Sequence, residues 1–167
     1  PVAALAAGFD TVSVCLSKGL GAPAGSVLAG DEQTIGRARR FRKMFGGGMR
    51  QSGVLAAAGL YALEHHVDRL VDDHVRARRL AAALDALPGV TCATPATNLV
   101  YFALDAASPL AAQMPDGRAR LVAELAARGV LIVGAGDRYR AVTHLDVDDA
   151  GIDRAIEVLQ FVVGAAA

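Results

Sequence analysis

Lys18 is the residue of this chain best suited to covalent chemistry. Residues 11–17 alternate apolar side chains with small polar ones, which is typical of a β-strand, and Lys18 follows directly. Residues 19–25 contain three glycines and a proline, and so require a tight loop. A lysine amine attacks a carbonyl only when burial or a neighbouring cation lowers its pKa. A lysine at the end of an apolar strand, beside glycines that let a flat ligand approach, suits that chemistry.

Two other interpretations of this loop compete with covalent chemistry at Lys18. The Ser-Lys-Gly motif by itself is weak, and it is more typical of a lysine that faces solvent in a surface turn. A nucleotide phosphate loop is excluded, because its lysine follows the glycines and leads into a helix, whereas here the lysine precedes them and a strand over 26–29 follows. The glycine spacing also differs from that of a dinucleotide-binding turn.

A second cluster lies around three successive glycines at 46–48, flanked by Lys43 and Arg50. Glycines at a helix boundary expose backbone N–H groups, and two cations beside them favour an anion. The cluster predicts an anion site, and a flexible linker between two helices is the alternative.

A third candidate is Arg140, on a predicted strand that is otherwise apolar on one face. An arginine in such a place suggests bidentate capture of a carboxylate, although a structural ion pair explains it equally well. His144 lies close by in the sequence and is interpreted as either a catalytic residue or one that holds a turn.

The remaining histidines, at positions 65, 66 and 74, do not predict a metal site. The neighbouring pair cannot share one face of a helix, and no third ligand has the usual spacing. They are interpreted as exposed helix residues.

The elements that position these residues follow from periodicity and from glycine and proline signals. The strand over 26–29 makes a hairpin-like unit with Lys18 at its turn, and Asp31 is a plausible N-cap for a helix that runs to about Phe45. Further helices are predicted from near Met49 and over 67–87.

The pattern of apolar residues changes in the second half of the chain. Strands are predicted over 90–93, 99–104, 130–133 and 140–145, a loop over 105–117, and helices over 118–128 and 148–163. This order predicts a small α+β lobe with helices on one face of an antiparallel sheet. The overall class is α/β, with residues 1–50 ending a larger domain and residues 51–167 forming an interdomain helix and the small domain.

The composition of the chain limits the classes of molecule that it is expected to bind. Seventeen basic and seventeen acidic residues cancel, so no net field attracts nucleic acid or an acidic membrane surface. No run of about 18 apolar residues without charge or glycine predicts a membrane span. The two cysteines have no paired spacing, which fits a reducing cytoplasm. Because the chain starts at Pro1 with a helix already under way, it is interpreted as a fragment.

Taken together, these segments resemble the threonine aldolase family of fold-type-I pyridoxal-phosphate enzymes. The resemblance covers nearly the whole chain and is carried by CLSKGLG (15–21), GS (25–26), RKMFGGGMRQSG (42–53), LAAAGLYAL (55–63) and VTHLD (142–146). It implies that residues 1–50 end the cofactor-binding large domain of a fold-type-I enzyme.

The resemblance also implies roles for individual residues. Lys18 would bind pyridoxal 5'-phosphate covalently, and Arg140 would bind the α-carboxylate of a small amino acid substrate. Lys43 and Arg50 match basic residues that approach the cofactor phosphate or active site, in this family often from the neighbouring subunit. A homo-oligomer, either a dimer or a tetramer, is therefore implied.

The implied reaction is cleavage of L-threonine, L-allo-threonine and related β-hydroxy amino acids to glycine and an aldehyde. Residues of the N-terminal half of the same protein would complete the site, so the chain alone is expected to be inactive. Two alternatives remain open: another fold-type-I enzyme, such as a β-eliminating lyase or aminotransferase, and a non-catalytic interaction module.

Overall fold

A computed structural model describes residues 2–105, 108, 117–135 and 138–164 of the chain. The backbone contacts divide it into two compact units, which meet in the sequence between Leu70 and Val71. The predicted boundary between positions 50 and 51 refers to the domains of a complete enzyme, and it stays a prediction.

The first unit is built around a β-hairpin. Helix α1 (Val2–Ala6) precedes strands β1 (Thr11–Cys15) and β2 (Ser26–Gly30), and helices α2 (Glu32–Met44) and α3 (Gly53–His65) follow. The strands pair antiparallel, with Cys15 opposite Ser26, so residues 16–25 form the connecting loop. The predicted hairpin with Lys18 in its connection is confirmed.

Helix α2 begins and ends at the residues that the sequence indicates. Asp31 is the N-cap, and one of its carboxylate oxygens accepts a hydrogen bond of 2.7 Å from the backbone N–H of Thr34. At the other end Gly46 has a φ of 81°, which favours glycine. Helix α3 begins at Gly53, four positions after the predicted start near Met49, because residues 50–52 form a turn.

The second unit is a four-stranded antiparallel sheet with three helices. In chain order its elements are α4 (Leu70–Asp85), whose first residue belongs to the first unit, β3 (Val90–Cys92), β4 (Leu99–Leu104), α5 (Gly117–Ala126), β5 (Val133–Ala135), β6 (Arg138–Val142) and α6 (Asp149–Gly164). The strand order is β3-β4-β6-β5. Most of the predicted loop over 105–117 lies outside the described residues.

One face of this sheet carries the core. Alternate strand residues are buried there against apolar side chains of α4, α5 and α6, and they are Val90, Cys92, Val100, Phe102, Tyr139 and Ala141. The rings of Phe102 and Tyr139 stack with centroids 5.0 Å apart. The prediction of an α+β lobe with helices on one face of an antiparallel sheet is confirmed.

The predicted strand over 130–133 is wrong, since β5 starts at Val133. The backbone N–H of Val130 donates to Leu125 O at 2.9 Å, and that of Gly129 donates to Ala126 O at 3.0 Å. These two bonds end helix α5 in a Schellman motif, with Gly129 at a φ of 83°. The apolar alternation reflects packing of Val130 and Ile132 on the core instead of strand pairing.

The longest described helices, α4 and α6, have 16 residues each. None of the described helices combines the length and apolar character that crossing a bilayer requires.

Candidate active site

The loop that carries Lys18 is fixed by its own backbone. Gly21 N–H donates to Lys18 O at 2.8 Å and closes a β-turn, in which Gly21 has a φ of 70°. Leu16 bridges the two sides of the loop, because its N–H donates to Gly25 O and its C=O accepts from Ala22 N–H, both at 3.0 Å. The backbone around Lys18 is therefore defined within the loop itself.

Apolar side chains anchor the same loop. Leu16, Leu20 and Ala22 are buried in a small cluster with Ala62 of α3, and Leu70 packs against it. Residues on both sides of Lys18 thus point into the unit, while the Lys18 side chain itself is exposed. The burial expected for this amine is not provided by the described residues, because both strands of the hairpin have mostly exposed side chains.

Two glycines permit this close packing. A Cβ at Gly59 of α3 would stand 2.9 Å from Leu16 Cδ1, and one at Gly19 would stand 3.0 Å from Leu70 Cδ2. A side chain at either position would force the facing leucine side chain to shift from its packed position.

His66 also reaches the loop, contrary to its interpretation as an exposed helix residue. It is half-buried, and its Nδ1 lies 2.6 Å from Leu20 O. No sequence pattern indicates this contact, because the partner is a backbone atom 46 positions away. Among the described residues, no three His, Cys, Asp or Glu side chains are grouped so that they could hold one metal ion.

The first two of the three glycines after α2 use their N–H groups to end the helix, which differs from the predicted anion site. Gly46 N–H donates to Lys43 O at 3.2 Å, and Gly47 N–H donates to Arg42 O at 2.8 Å. These two N–H groups end the helix in a Schellman motif, so the prediction that they bind an anion is wrong. Gly48 is left as the glycine whose N–H could contribute.

The Lys43 side chain packs against Gly48 in the glycine turn. A Cβ at Gly48 would stand 3.0 Å from Lys43 Cδ and 3.3 Å from Nζ, so the lysine side chain runs directly over the glycine. Arg50 is exposed in the turn that follows, and no described residue forms an ion pair with it. Lys43, in the last turn of α2, and Arg50, in the turn before α3, therefore belong to the same unit as Lys18.

Arg140 lies in the second unit, at the centre of strand β6. It faces Tyr101 of β4 on one side and Val133 of β5 on the other. Leu99 and Val142 form the next pair on this face, which is opposite the core and partly exposed. We call these five residues the outer sheet face.

The guanidinium of Arg140 has an unmet hydrogen-bond requirement. The residue is half-buried, and its Nε is buried without an acceptor among the described residues. A buried donor without a partner is costly, so an acceptor is expected at this position. A planar carboxylate matches an arginine fork on an otherwise apolar surface.

The strand that carries Arg140 is fastened at its end by Asn98 and Thr143. Thr143 N–H donates to Asn98 O at 3.1 Å, and the side-chain amide of Asn98 donates to Thr143 O at 2.8 Å. The buried Thr143 hydroxyl donates to Asp73 O at 2.7 Å. Sequence reasoning missed both residues, and His144 holds the adjoining turn by accepting a 3.3 Å hydrogen bond from Asp146 N–H.

Comparison with known proteins now identifies the family. The family model described as beta-eliminating lyase matches residues 1–107. The chain belongs to the beta-eliminating lyase family. Within this family it is 38% identical over 163 residues to low-specificity L-threonine aldolase 1 of Arabidopsis thaliana, covering 96% of this chain. It is 45% identical over 138 residues to the low specificity L-threonine aldolase of Escherichia coli O157:H7, covering 83% of this chain.

A solved structure supports the same grouping. A protein of Exiguobacterium sp. 255-15, assigned as an aromatic amino acid beta-eliminating lyase/threonine aldolase, is 25% identical, with a TM-score of 0.66 over 93% of this chain and 47% of that one. The predicted family and fold class are confirmed. The chain spans 44% and 38% of the length of the Arabidopsis and E. coli relatives.

Proposed function

We propose that this chain is the C-terminal part of a pyridoxal-phosphate-dependent aldehyde-lyase, a low-specificity threonine aldolase. The enzyme cleaves L-threonine, L-allo-threonine and related β-hydroxy amino acids to glycine and an aldehyde. The observation that carries the proposal is the 38% identity with an L-threonine aldolase across 163 residues, which include the Lys18 loop and Arg140.

The residues present fit the cofactor. An aldehyde needs a primary amine on a well-defined backbone, and Lys18 offers one on a loop closed by hydrogen bonds and anchored by buried side chains. A phosphate needs cations, and the Lys43 side chain lies over Gly48, with Arg50 two positions further along the chain. When bound, the cofactor accepts the negative charge that bond cleavage leaves at the substrate Cα.

The role of Arg140 is to bind and orient the substrate. Its fork holds the α-carboxylate in one plane on the outer sheet face, and this fixes the rotation of the substrate about its Cα bonds. Orientation selects the bond that is cleaved, and alignment of reacting groups is worth up to about 7–11 kcal/mol in favourable model systems. The neighbours of Arg140 on this face are mostly apolar, so few polar groups compete with the carboxylate for the guanidinium.

Further protein completes the proposed enzyme. The partners are the N-terminal half of the same protein and further subunits of a cytoplasmic homo-oligomer, either a dimer or a homotetramer. The hairpin supports this, because Val14, Val27 and Leu28 are exposed. Helix α3 supports it as well, because Val54, Leu60 and Tyr61 are more than half exposed. An apolar surface of this kind favours burial against other protein.

A β-eliminating lyase is the second candidate, favoured by the description of the matching family model. A lyase of this kind, or an aminotransferase, uses the same lysine and the same carboxylate-binding arginine. The products differ, because the aldolase releases glycine and an aldehyde, whereas the other reactions release a keto acid.

Two measurements on the complete protein test the proposal. Incubation with L-threonine or L-allo-threonine should yield glycine and acetaldehyde in equal amounts, and a keto acid product would instead establish the second candidate. Borohydride reduction followed by peptide mass analysis should find the cofactor on Lys18, with no attachment in the Lys18→Ala variant. Attachment should persist in a Lys43→Ala control, and turnover by Lys18→Ala at the normal rate would refute the proposal.

A further inference from the structure

The contact between His66 and the Lys18 loop has a defined direction. Leu20 O can only accept a hydrogen bond, and it lies 2.6 Å from His66 Nδ1. The ring must therefore carry a proton on Nδ1, which assigns the tautomer of the neutral side chain. This hydrogen bond joins the His66 side chain to the backbone of the loop at residues 16–25.

The His66 ring is held in place from its own side. His66 is the C-cap of α3, and its backbone N–H donates to Ala62 O at 2.9 Å. The Tyr61 ring packs edge to face against it, with centroids 5.5 Å apart and planes at 87°. The helix end and Tyr61 thus orient the donor toward the loop.

The acceptor belongs to a peptide group that also contacts Lys18. The C=O of Leu20 and the N–H of Gly21 form a single planar peptide unit. Its N–H donates to Lys18 O at 2.8 Å, and its C=O accepts from His66. The unit is therefore held at both ends, and without His66 it could rotate easily, because Gly21 lacks a side chain and tolerates many φ values.

We propose that His66 is a positioning residue that fixes the Lys18 backbone through the peptide unit between Leu20 and Gly21. The inference deepens the proposed function, since it rests on Lys18 as the residue that binds the cofactor. His66 itself acts through the loop and does not touch the reacting atoms.

The test uses three substitutions of His66 in the complete protein. His66→Asn keeps a donor near the position of Nδ1, His66→Gln places its donor farther out, and His66→Ala removes it. His65→Ala is the matched control, because His65 is exposed and its ring also contacts that of Tyr61, with centroids 4.3 Å apart.

The first readout is amide hydrogen exchange at Gly21 in protein free of cofactor. Loss of one hydrogen bond at net 1–1.5 kcal/mol corresponds to about tenfold faster exchange in His66→Ala and His66→Gln. His66→Asn and His65→Ala should exchange like the parent protein. Because this readout needs neither cofactor nor turnover, it holds whether or not Lys18 proves to bind the cofactor.

The second readout is the dissociation constant for pyridoxal phosphate, measured from the absorbance of the bound form. It should rise about tenfold in His66→Ala and His66→Gln and return toward the parent value in His66→Asn. Unchanged Gly21 exchange in His66→Ala, or a His66→Asn variant indistinguishable from His66→Gln, would overturn the inference. If His66→Ala does not fold, the comparison of His66→Asn with His66→Gln tests the inference.

Discussion

Gly59 of α3 lies so close to Leu16 that a Cβ at position 59 would stand 2.9 Å from Leu16 Cδ1. Leu16 is buried at the start of the loop that carries Lys18, and its backbone bonds Gly25 and Ala22. A side chain at position 59 would therefore force the buried Leu16 side chain to shift.

We predict that Gly59→Ala destabilises the first unit and weakens cofactor binding. Overpacking costs about 1–3 kcal/mol, which outweighs the gain of up to about 1 kcal/mol from replacing glycine by alanine inside a helix. Chemical denaturation and cofactor titration measure the two effects.

Gly36 of α2 is the matched control, because a Cβ there meets no atom within 4 Å. Gly36→Ala should stabilise the protein by up to about 1 kcal/mol. Equal effects of the two substitutions would contradict the close fit between α3 and the loop.

Arg140 gives a prediction about substrate binding. Arg140→Lys keeps the positive charge but loses the planar fork, so KM for L-threonine should rise by about ten- to a hundredfold, as expected for a lost charged hydrogen bond of 1.5–3 kcal/mol. Arg138, exposed on the same strand, is the control, and Arg138→Lys should leave KM within about twofold. Steady-state kinetics of the complete protein measure KM, and an unchanged KM in Arg140→Lys would refute the proposed role of Arg140 in substrate binding.

Two substitutions in the glycine turn after α2 test backbone strain and the placement of the Lys43 cation separately. Gly46→Ala forces a side chain into a φ of 81° and should cost about 1–2 kcal/mol of stability. Gly48→Ala meets the flexible Lys43 side chain instead, so stability should change by less than about 0.5 kcal/mol while the cation moves. Phosphate or cofactor affinity should then fall in Gly48→Ala, and an unaffected affinity would argue against Lys43 as a phosphate ligand.

The hydroxyl of Thr143 should matter more for stability than its position near the end of a strand indicates. Thr143→Val keeps the shape of the side chain but leaves Asp73 O without this donor in a buried site, at a cost of about 1–3 kcal/mol. Urea unfolding measures the change. Thr91, which is exposed and bonds Asp105 at 2.9 Å, is the control, and Thr91→Val should cost less than about 1 kcal/mol.

The ion pair between α4 and α6 predicts a pH dependence of stability. Arg76 Nε donates to Asp149 Oδ1 at 3.0 Å, and this hydrogen bond and the charge of Arg76 lower the pKa of Asp149 below its usual 3.8. A lowered pKa in the folded state stabilises the protein above pH 3.8, and the effect is lost as pH falls through the lower value.

Asp149→Asn should therefore reduce the free energy of unfolding at pH 7, with a difference from the parent that shrinks below pH 3.8. Arg76→Gln should give the same pH profile, because it removes the other partner. A difference that persists unchanged at pH 2.5, measured by urea unfolding, would exclude this pair as its source.

The sequence by itself was enough for the features that depend on near neighbours. The N-cap at Asp31 and the glycine end of α2 are held by hydrogen bonds that span three to five positions, and the hairpin around Lys18 pairs two strands that follow each other in the sequence. Local conformation and nearby donors determine such features, so they are readable from residue type and spacing.

The tertiary structure alone decided which distant residues meet. His66 reaches Leu20 across 46 positions, and Asn98 fastens Thr143 across 45. It also showed that Val130 and Ile132 pack on the core without pairing as a strand, and that two glycine N–H groups end a helix instead of binding an anion. Contacts of this kind depend on how whole elements pack, and residue patterns along the chain do not encode the partner of a backbone atom.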